Sequence, residues 1–187
     1  MKFETTDFIY VSDTLIECSD EVIGVINGYS EHFDNLATFI GNYGHDAVKV
    51  AFEWTYKPDF EVYANHKSIF DNPKYYNQMT GSIEWPDDDG FLGGVSVDEV
   101  LSQGTLIDRY GLDTGKFTSP INTPMEMRAI DPMARTRPYK VFEVVEPITV
   151  KSGEIVPWFD EPGGGIQYKM PKTIEELLDD GVIRRVQ

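Results

Sequence analysis

With 187 residues, 41% of them hydrophobic and 13% aromatic, the chain has material for one generous core, or for a small domain with an N-terminal companion, and its composition argues against wholesale disorder. A net charge of −16 and an isoelectric point near 4.4 set it against nucleic acid, whose phosphates it would repel. No apolar run reaches the ~18 residues that a membrane span needs, and the single cysteine, Cys18, leaves no internal disulfide and no cysteine-based zinc site.

The opening Met1-Lys2-Phe3-Glu4-Thr5 carries an acid where a signal peptide has a basic start and then an apolar stretch. The chain as given therefore reads as cytosolic; a toxin piece cut from a larger exported protein reads the same way. Residues 19–56 have the texture of helix. Ser19 is placed to cap, Asp20 and Glu21 suit the positive end of the helix dipole, and Val22, Ile23, Val25, Ile26, Phe33, Leu36, Phe39 and Ile40 recur at three- and four-residue spacing. Gly28, Gly41 and Gly44 divide this stretch into two or three helices. The histidines, His32, His45 and His66, all lie in the first third, and scattered surface or helix histidines account for them better than a His-carboxylate metal site.

Residues 57–92, rich in Pro, Asn, Asp and Tyr, read as an irregular connector ending in Pro86-Asp87-Asp88-Asp89-Gly90. That acidic run lacks the closing glutamate of a calcium loop and reads as a solvated turn. From about residue 91 short β-like runs alternate with turn residues. The expected strands are Thr105–Asp108, Pro138–Val145, Ile148–Val150, Gly165–Lys169 and Val182–Val186, with Phe142 and Val144 sharing one face of the longest. One helix interrupts them: Thr173 and Glu176 form a capping box, Ile174, Leu177 and Leu178 give an apolar face, and Gly181 suits the stop. The expected fold class is α+β, with N-terminal helices over residues 1–80, of unknown role, followed by a small, mainly antiparallel β-sheet catalytic domain over 81–187.

Charge is unevenly spread. Residues 1–100 hold 5 Lys and Arg against 19 Asp and Glu, whereas residues 101–187 hold 11 against 13. Within 109–140, Arg109, Lys116, Arg128, Arg135, Arg137 and Lys140 face only Asp113, Glu126 and Asp131. A local excess of cations in so acidic a chain is where an anionic ligand would be held, although chance clustering on a loop gives the same count. Asp108-Arg109-Tyr110-Gly111 ends an expected strand in a turn, where an arginine fork can meet a phosphate bidentately or simply pair with an acid. Arg128 sits between apolar residues, which favours partial burial and a ligand role over free solvation. Gly163-Gly164-Gly165 permits close backbone approach or positive φ, lacks the pattern of a phosphate-binding loop, and by itself could be only a hairpin connection. Beside it stand Pro157-Trp158-Phe159 and, on the strand leaving it, Gln167; aromatic walls with one oriented amide suit a flat heterocycle bearing a carboxamide.

Taken in order, Trp85-Pro86-Asp87-Asp88-Asp89-Gly90-Phe91, Gly104-Thr105, Asp108 to Gly111, Gly115-Lys116-Phe117-Thr118-Ser119-Pro120, Thr123-Pro124, Arg128-Ala129, Pro138-Tyr139, Pro157-Trp158-Phe159, Pro162 to Gly165 with Gln167-Tyr168, and Leu177 to Gly181 resemble the TNT-type NAD(P)+ glycohydrolases, a family named after the tuberculosis necrotizing toxin. The resemblance runs from Glu84 to about Val186; residues 1–80 have no counterpart in it. It implies an enzyme that cleaves the nicotinamide–ribosyl bond of NAD+ or NADP+ as a toxin or effector, with the dinucleotide as substrate and no cofactor or metal. It implies Arg109 and Arg128 on the phosphates, Tyr110 and Phe117, with Trp158, around the nicotinamide, and Gln167 as the amide needed for catalysis. Where some members carry a histidine after the Pro-Tyr pair, this chain has Lys140, a cationic substitute at the ribose or phosphates. It further implies an immunity protein or an export system for the producing cell, and delivery into a target cell. Two alternatives stand beside it: an ADP-ribosyltransferase acting on a protein, whose Glu-x-Glu pair is missing here, and a catalytically silent dinucleotide-binding module.

Overall fold

The alternation of short apolar runs with turn residues after residue 91 becomes a seven-stranded sheet in the computed structural model, which describes residues 7–11, 14–18, 50 and 53–186. The chain divides into two compact units, Met1–Ile83 and Glu84–Gln187.

In the first unit, β1 (Asp7–Val11) and β2 (Thr14–Cys18) pair as an antiparallel hairpin, and two short helices follow, α1 (Phe60–Asn65) and α2 (Lys67–Phe70). The helices expected over 19–56 fall almost entirely outside the described residues. The irregular connector expected over 57–92 is corrected by α1 and α2. Asp59 starts α1 by accepting the Glu61 N–H at 2.9 Å, and Tyr63 packs on Phe70 with ring centroids 5.7 Å apart. Helices of six and four residues complete too few turns for an apolar period to show.

The second unit carries β3 (Val97–Leu101), β4 (Leu106–Tyr110), β5 (Phe117–Pro120), β6 (Tyr139–Val144), β7 (Ile148–Glu154), β8 (Ile166–Lys169) and β9 (Ile183–Arg185), with α3 (Ile174–Asp179) between the last two. Their order across the sheet is β3-β7-β8-β5-β4-β6-β9, and every neighbouring pair is antiparallel. The α+β class with a small antiparallel sheet stands as expected. Each expected strand is present within a few residues of its bounds, while β3 and β5 were not anticipated. β3 lies at the sheet edge and leaves Val97 and Val100 exposed, so its apolar alternation is broken; β5 ends in proline and buries Thr118 and Ser119 rather than aliphatic side chains.

One face of this sheet makes the core. Ile107, Phe142, Val144, Tyr168 and Met170 pack there against Ile174 and Leu177 of α3. α3 begins with the expected capping box, the Thr173 hydroxyl accepting the Glu176 N–H while the Glu176 carboxylate accepts the Thr173 N–H, and it stops before Gly181 at φ 72°. Side chains alternate between faces along a strand. The register Asp108↔Ser119 and Thr118↔Tyr168 therefore sends Asp108, Tyr110, Phe117, Ser119 and Gln167 to the face opposite α3.

Candidate active site

On that opposite face lies a cleft of about 450 Å³. Its floor is the sheet, with Asp108, Tyr110, Phe117, Ser119 and Gln167; Trp85, Val156 and Trp158, and the turn residues Arg128 to Asp131 with Arg137, complete the lining. Six of the seven residues singled out in sequence line it: Arg109, Tyr110, Phe117, Arg128, Trp158 and Gln167.

The glycine run explains how residues so distant in sequence meet. Gly163 stands at φ 64°, and a Cβ there would lie 2.6 Å from the Ile155 carbonyl oxygen; one on Gly165 would lie 2.6 Å from that of Met127. The Gly163 and Gly165 N–H groups donate to Glu126 O and Met127 O at 3.3 and 3.0 Å. The run is thus a backbone junction that presses the turn Glu126–Arg128 against the start of β8. It sets the spacing between Arg128 and Gln167.

Gln167 donates its Nε2 hydrogen to the Asp89 carbonyl at 2.9 Å. A carbonyl only accepts, so the amide nitrogen must be the atom facing it, and Oε1 is left as the acceptor. Asp89 is itself held: its carboxylate takes the Lys169 ammonium at 2.5 Å. Asp88 and Asp89 both stand in the left-handed region, at φ 53° and 58°, where aspartate is among the few side chains tolerated. The acidic run is therefore an exposed turn, as expected, and also the support of Gln167. Among the described residues no three His, Cys, Asp or Glu side chains gather as a metal site.

Arg128 and Asp108 form a buried ion pair at 2.6 Å, their side chains 5% and 0% exposed. The Arg128 Nε also donates to Thr123 O at 2.8 Å, and its guanidinium lies 5.5 Å from the Tyr110 ring centre. Asp108 additionally accepts from the Asn122 N–H at 3.1 Å and the Tyr139 hydroxyl at 2.8 Å. Burial, then Asp108 itself, raises the Tyr139 phenol to about 12, so it remains a donor through the neutral range. Arg137 grips Asp131 with both terminal nitrogens, at 3.2 and 3.4 Å. Burial holds the Asp131 carboxyl above its ordinary range despite that partner.

Arg109 reaches the cleft by a different route. By alternation it leaves β4 on the Ile107 face, and its guanidinium is tucked against Gly115, where a Cβ would lie 2.3 Å from Nη2. Nη1 donates to Phe117 O at 3.1 Å, and Nε is buried without a hydrogen-bond partner among the described residues. Burial lowers its pKa, with Asp113 opposing and Arg137 adding to the shift.

Lys140 is the exception and stays outside the cleft lining. It pairs with Arg109 in register, on the α3 side of β6, and its ammonium binds Asp113 at 2.9 Å, beside Arg185 on the same carboxylate. It anchors the loop between β4 and β5 instead of presenting a charge to the cleft. The residues that sequence reasoning passed over are Asp108 as the partner of Arg128, Asp131, Arg137 and Asp89. One signal was available: Ile107-Asp108 and Ile130-Asp131-Pro132 set an acid among apolar neighbours, a context in which a carboxylate must be paired.

Residues 100–186 match the family described as Tuberculosis necrotizing toxin. The chain is 30% identical over 118 residues to the conidial surface nicotinamide adenine dinucleotide glycohydrolase of Aspergillus fumigatus, covering 57% of this chain and 50% of that protein. It therefore spans about half the length of this relative. Among solved structures, tuberculosis necrotizing toxin complexed with its immunity factor matches over 71% of this chain and 89% of its own, with a TM-score of 0.51 at 19% identity; at that identity the likeness is one of fold.

Proposed function

We propose that this chain, whose residues 100–186 match the family described as Tuberculosis necrotizing toxin, hydrolyses the nicotinamide–ribosyl bond of NAD+, NADP+ or both through its residues 81–187. The products are nicotinamide and ADP-ribose, or its 2′-phosphate. One observation carries the reading: six residues drawn from five separate stretches of sequence line a single cleft of about 450 Å³, a volume in the range of small-molecule sites.

The chemistry asks little of an acid. The nicotinamide nitrogen in NAD+ is cationic and departs neutral, so positive charge moves onto the ribose as an oxocarbenium-like transition state. The enzyme has to grip the phosphates, fix the nicotinamide, stabilise the sugar cation and admit one water. Guanidinium groups at the cleft do the first, and Tyr110, Phe117 and Trp158 stack around the nicotinamide. Gln167 supplies the third: with its nitrogen committed to Asp89 O, the negative end of the amide dipole is left to accept from a ribose hydroxyl or from the attacking water. The reaction as written consumes water alone and calls on no cofactor.

An enzyme that depletes NAD harms the cell that makes it. An immunity protein for the producing cell, and delivery of the chain to a target cell, complete the proposal; the solved structure of similar fold is of a toxin with its immunity factor. Incubation with NAD+ and with NADP+, followed by product analysis, tests it. Free nicotinamide and ADP-ribose in equal amounts are expected. Label from biotinylated NAD+ appearing on protein would replace hydrolysis by transfer, and unchanged dinucleotide would sink the reading.

A further inference from the structure

Strand β8 lays two side chains on one residue. Gln167 and Lys169 stand two positions apart on the same face. The first donates to the Asp89 carbonyl at 2.9 Å, and the second binds the Asp89 carboxylate at 2.5 Å. The turn that carries Asp89 is otherwise tied by backbone. Asp87 O accepts the Gly90 N–H at 3.0 Å, Asp88 O the Phe91 N–H at 3.2 Å and Gly90 O the Val156 N–H at 2.9 Å, while Phe91 bridges to Ile155. Those bonds close the turn on itself and fix it to residues 155–156. Of the four consecutive carbonyls, that of Asp89 goes to a side chain, and among the described residues the turn meets β8 through Gln167 and Lys169.

The two ties differ in what disturbs them. The Gln167 bond is neutral, but its geometry depends on where Asp89 sits. That residue stands at φ 58° and ψ 17°, a left-handed conformation that a side chain keeps only while its surroundings hold it there. The ion pair that holds it is open to solvent: the Asp89 and Lys169 side chains are 44% and 35% exposed. Both line a second cavity of about 450 Å³, with Asp98, Lys116 and Lys151, and Asp89 lines the cleft as well. A pair so placed weakens as salt screens it.

We propose that Lys169 is a positioning residue for the hydrolysis. By fixing the Asp89 carboxylate it latches the Asp89 carbonyl against Gln167, keeps the amide nitrogen committed there, and so leaves Oε1 as the acceptor in the cleft. With the pair broken the turn can part from β8, and the amide is free to rotate and offer a donor where the reaction needs an acceptor. Turnover, rather than substrate binding, then depends on ionic strength. The catalytic consequence rests on the hydrolase reading; the latch itself does not.

The test compares the wild type with Lys169→Met, Asp89→Asn, the two combined, and Lys169→Arg, each as the full chain. With NAD+ as substrate, kcat should fall about two- to fivefold in Lys169→Met, the reach of one exposed ion pair, with KM little changed. Asp89→Asn should match it, because asparagine keeps the left-handed backbone and the side-chain outline without the charge. The combined variant should lose no more than either, and Lys169→Arg should regain most of the rate. Raising sodium chloride from about 0.05 M to about 0.5 M should lower the wild-type kcat toward that of Lys169→Met and leave the variant level. A readout independent of turnover is the Gln167 side-chain amide in NMR spectra of isotope-labelled protein, identified by its loss in Gln167→Ala. Its two proton signals should move in Lys169→Met, while the melting temperature stays within a few degrees of the wild type. Signals that stay in place overturn the latch, as does a melting temperature lowered by more than about 10 °C, which would make the pair a structural one. Should the signals move while every form leaves NAD+ intact, the latch stands and the hydrolase reading falls. Should the wild type and Lys169→Met consume NAD+ with equal kcat and equal salt response, the hydrolase reading stands and the positioning role falls.

Discussion

Replacing Arg128 by alanine should unfold the C-terminal unit before it reports anything about phosphate binding. The change strands Asp108, whose side chain is 0% exposed and 2.6 Å from the guanidinium, with the Tyr139 hydroxyl and the Asn122 N–H as its only described donors. Removing one partner of a buried ion pair costs roughly 3–5 kcal/mol, because the other charge remains in a low-dielectric site. For a domain of this size each kcal/mol shifts the melting temperature by about 4–8 °C, so a fall of roughly 15–30 °C is expected. Arg109→Ala breaks one described side-chain hydrogen bond, to Phe117 O at 3.1 Å, worth about 1 kcal/mol; it should melt within several degrees of the wild type while losing turnover. Circular dichroism melts of both variants, with Asp108→Asn/Arg128→Met as a double variant that neutralises the pair and recovers much of the loss, decide the matter. If Arg128→Ala melts within a few degrees of the wild type, or if Arg109→Ala proves the less stable, the division of labour between the two arginines is wrong.

Gln167→Ala should lower nicotinamide release by about 10²–10³-fold, the usual loss for a single transition-state contact, with the melting temperature nearly unchanged; near-normal turnover would refute its role. Asp113→Asn should flatten the acid limb of the stability profile. Burial pushes the Asp113 carboxyl up, but Lys140 and Arg185 outweigh it and hold it below the ordinary value. A depressed carboxylate adds stability that is present above its unfolded pKa and lost as pH falls through the folded one, so melts at falling pH should separate the variant from the wild type least in acid and most near neutrality. Equal separation at every pH would contradict the assignment. Gly163→Ala should destabilise by about 1–3 kcal/mol, since φ is 64° and the new methyl would press on the Ile155 carbonyl; a denaturation midpoint equal to that of the wild type would show that the junction yields.

Much of the C-terminal unit was legible because its strands are short apolar runs set off by turn residues: Phe142 and Val144 are fully buried on their shared face, and β7 alternates buried and exposed positions from Ile148 to Ser152. The capping box of α3 was legible because it is a local pattern of hydrogen bonds. β3 and β5 were hidden by their positions, one at an edge and one burying hydroxyls beside the cleft. In the site, residue identities carried over from the family resemblance and six of seven meet in one cleft. Pairings were beyond reach. Arg109 and Asp108 are adjacent in sequence, yet strand alternation sends them to opposite faces, and Asp108 pairs instead with an arginine twenty positions away. Lys140 lies outside the cleft lining for the same reason, since a residue's face depends on register, which its local sequence does not state.

The contact between Gln167 and Asp89 also limits what evolution can do with that position. Glutamate matches glutamine in outline, but both of its oxygens would present lone pairs to a carbonyl that has no hydrogen to give, and the Lys169 ammonium is already committed to Asp89. The most conservative exchange by volume is thus among the most disruptive by polarity. Selection here acts on two hydrogen atoms of an amide, and a mutational scan should find the position closed to its steric twin.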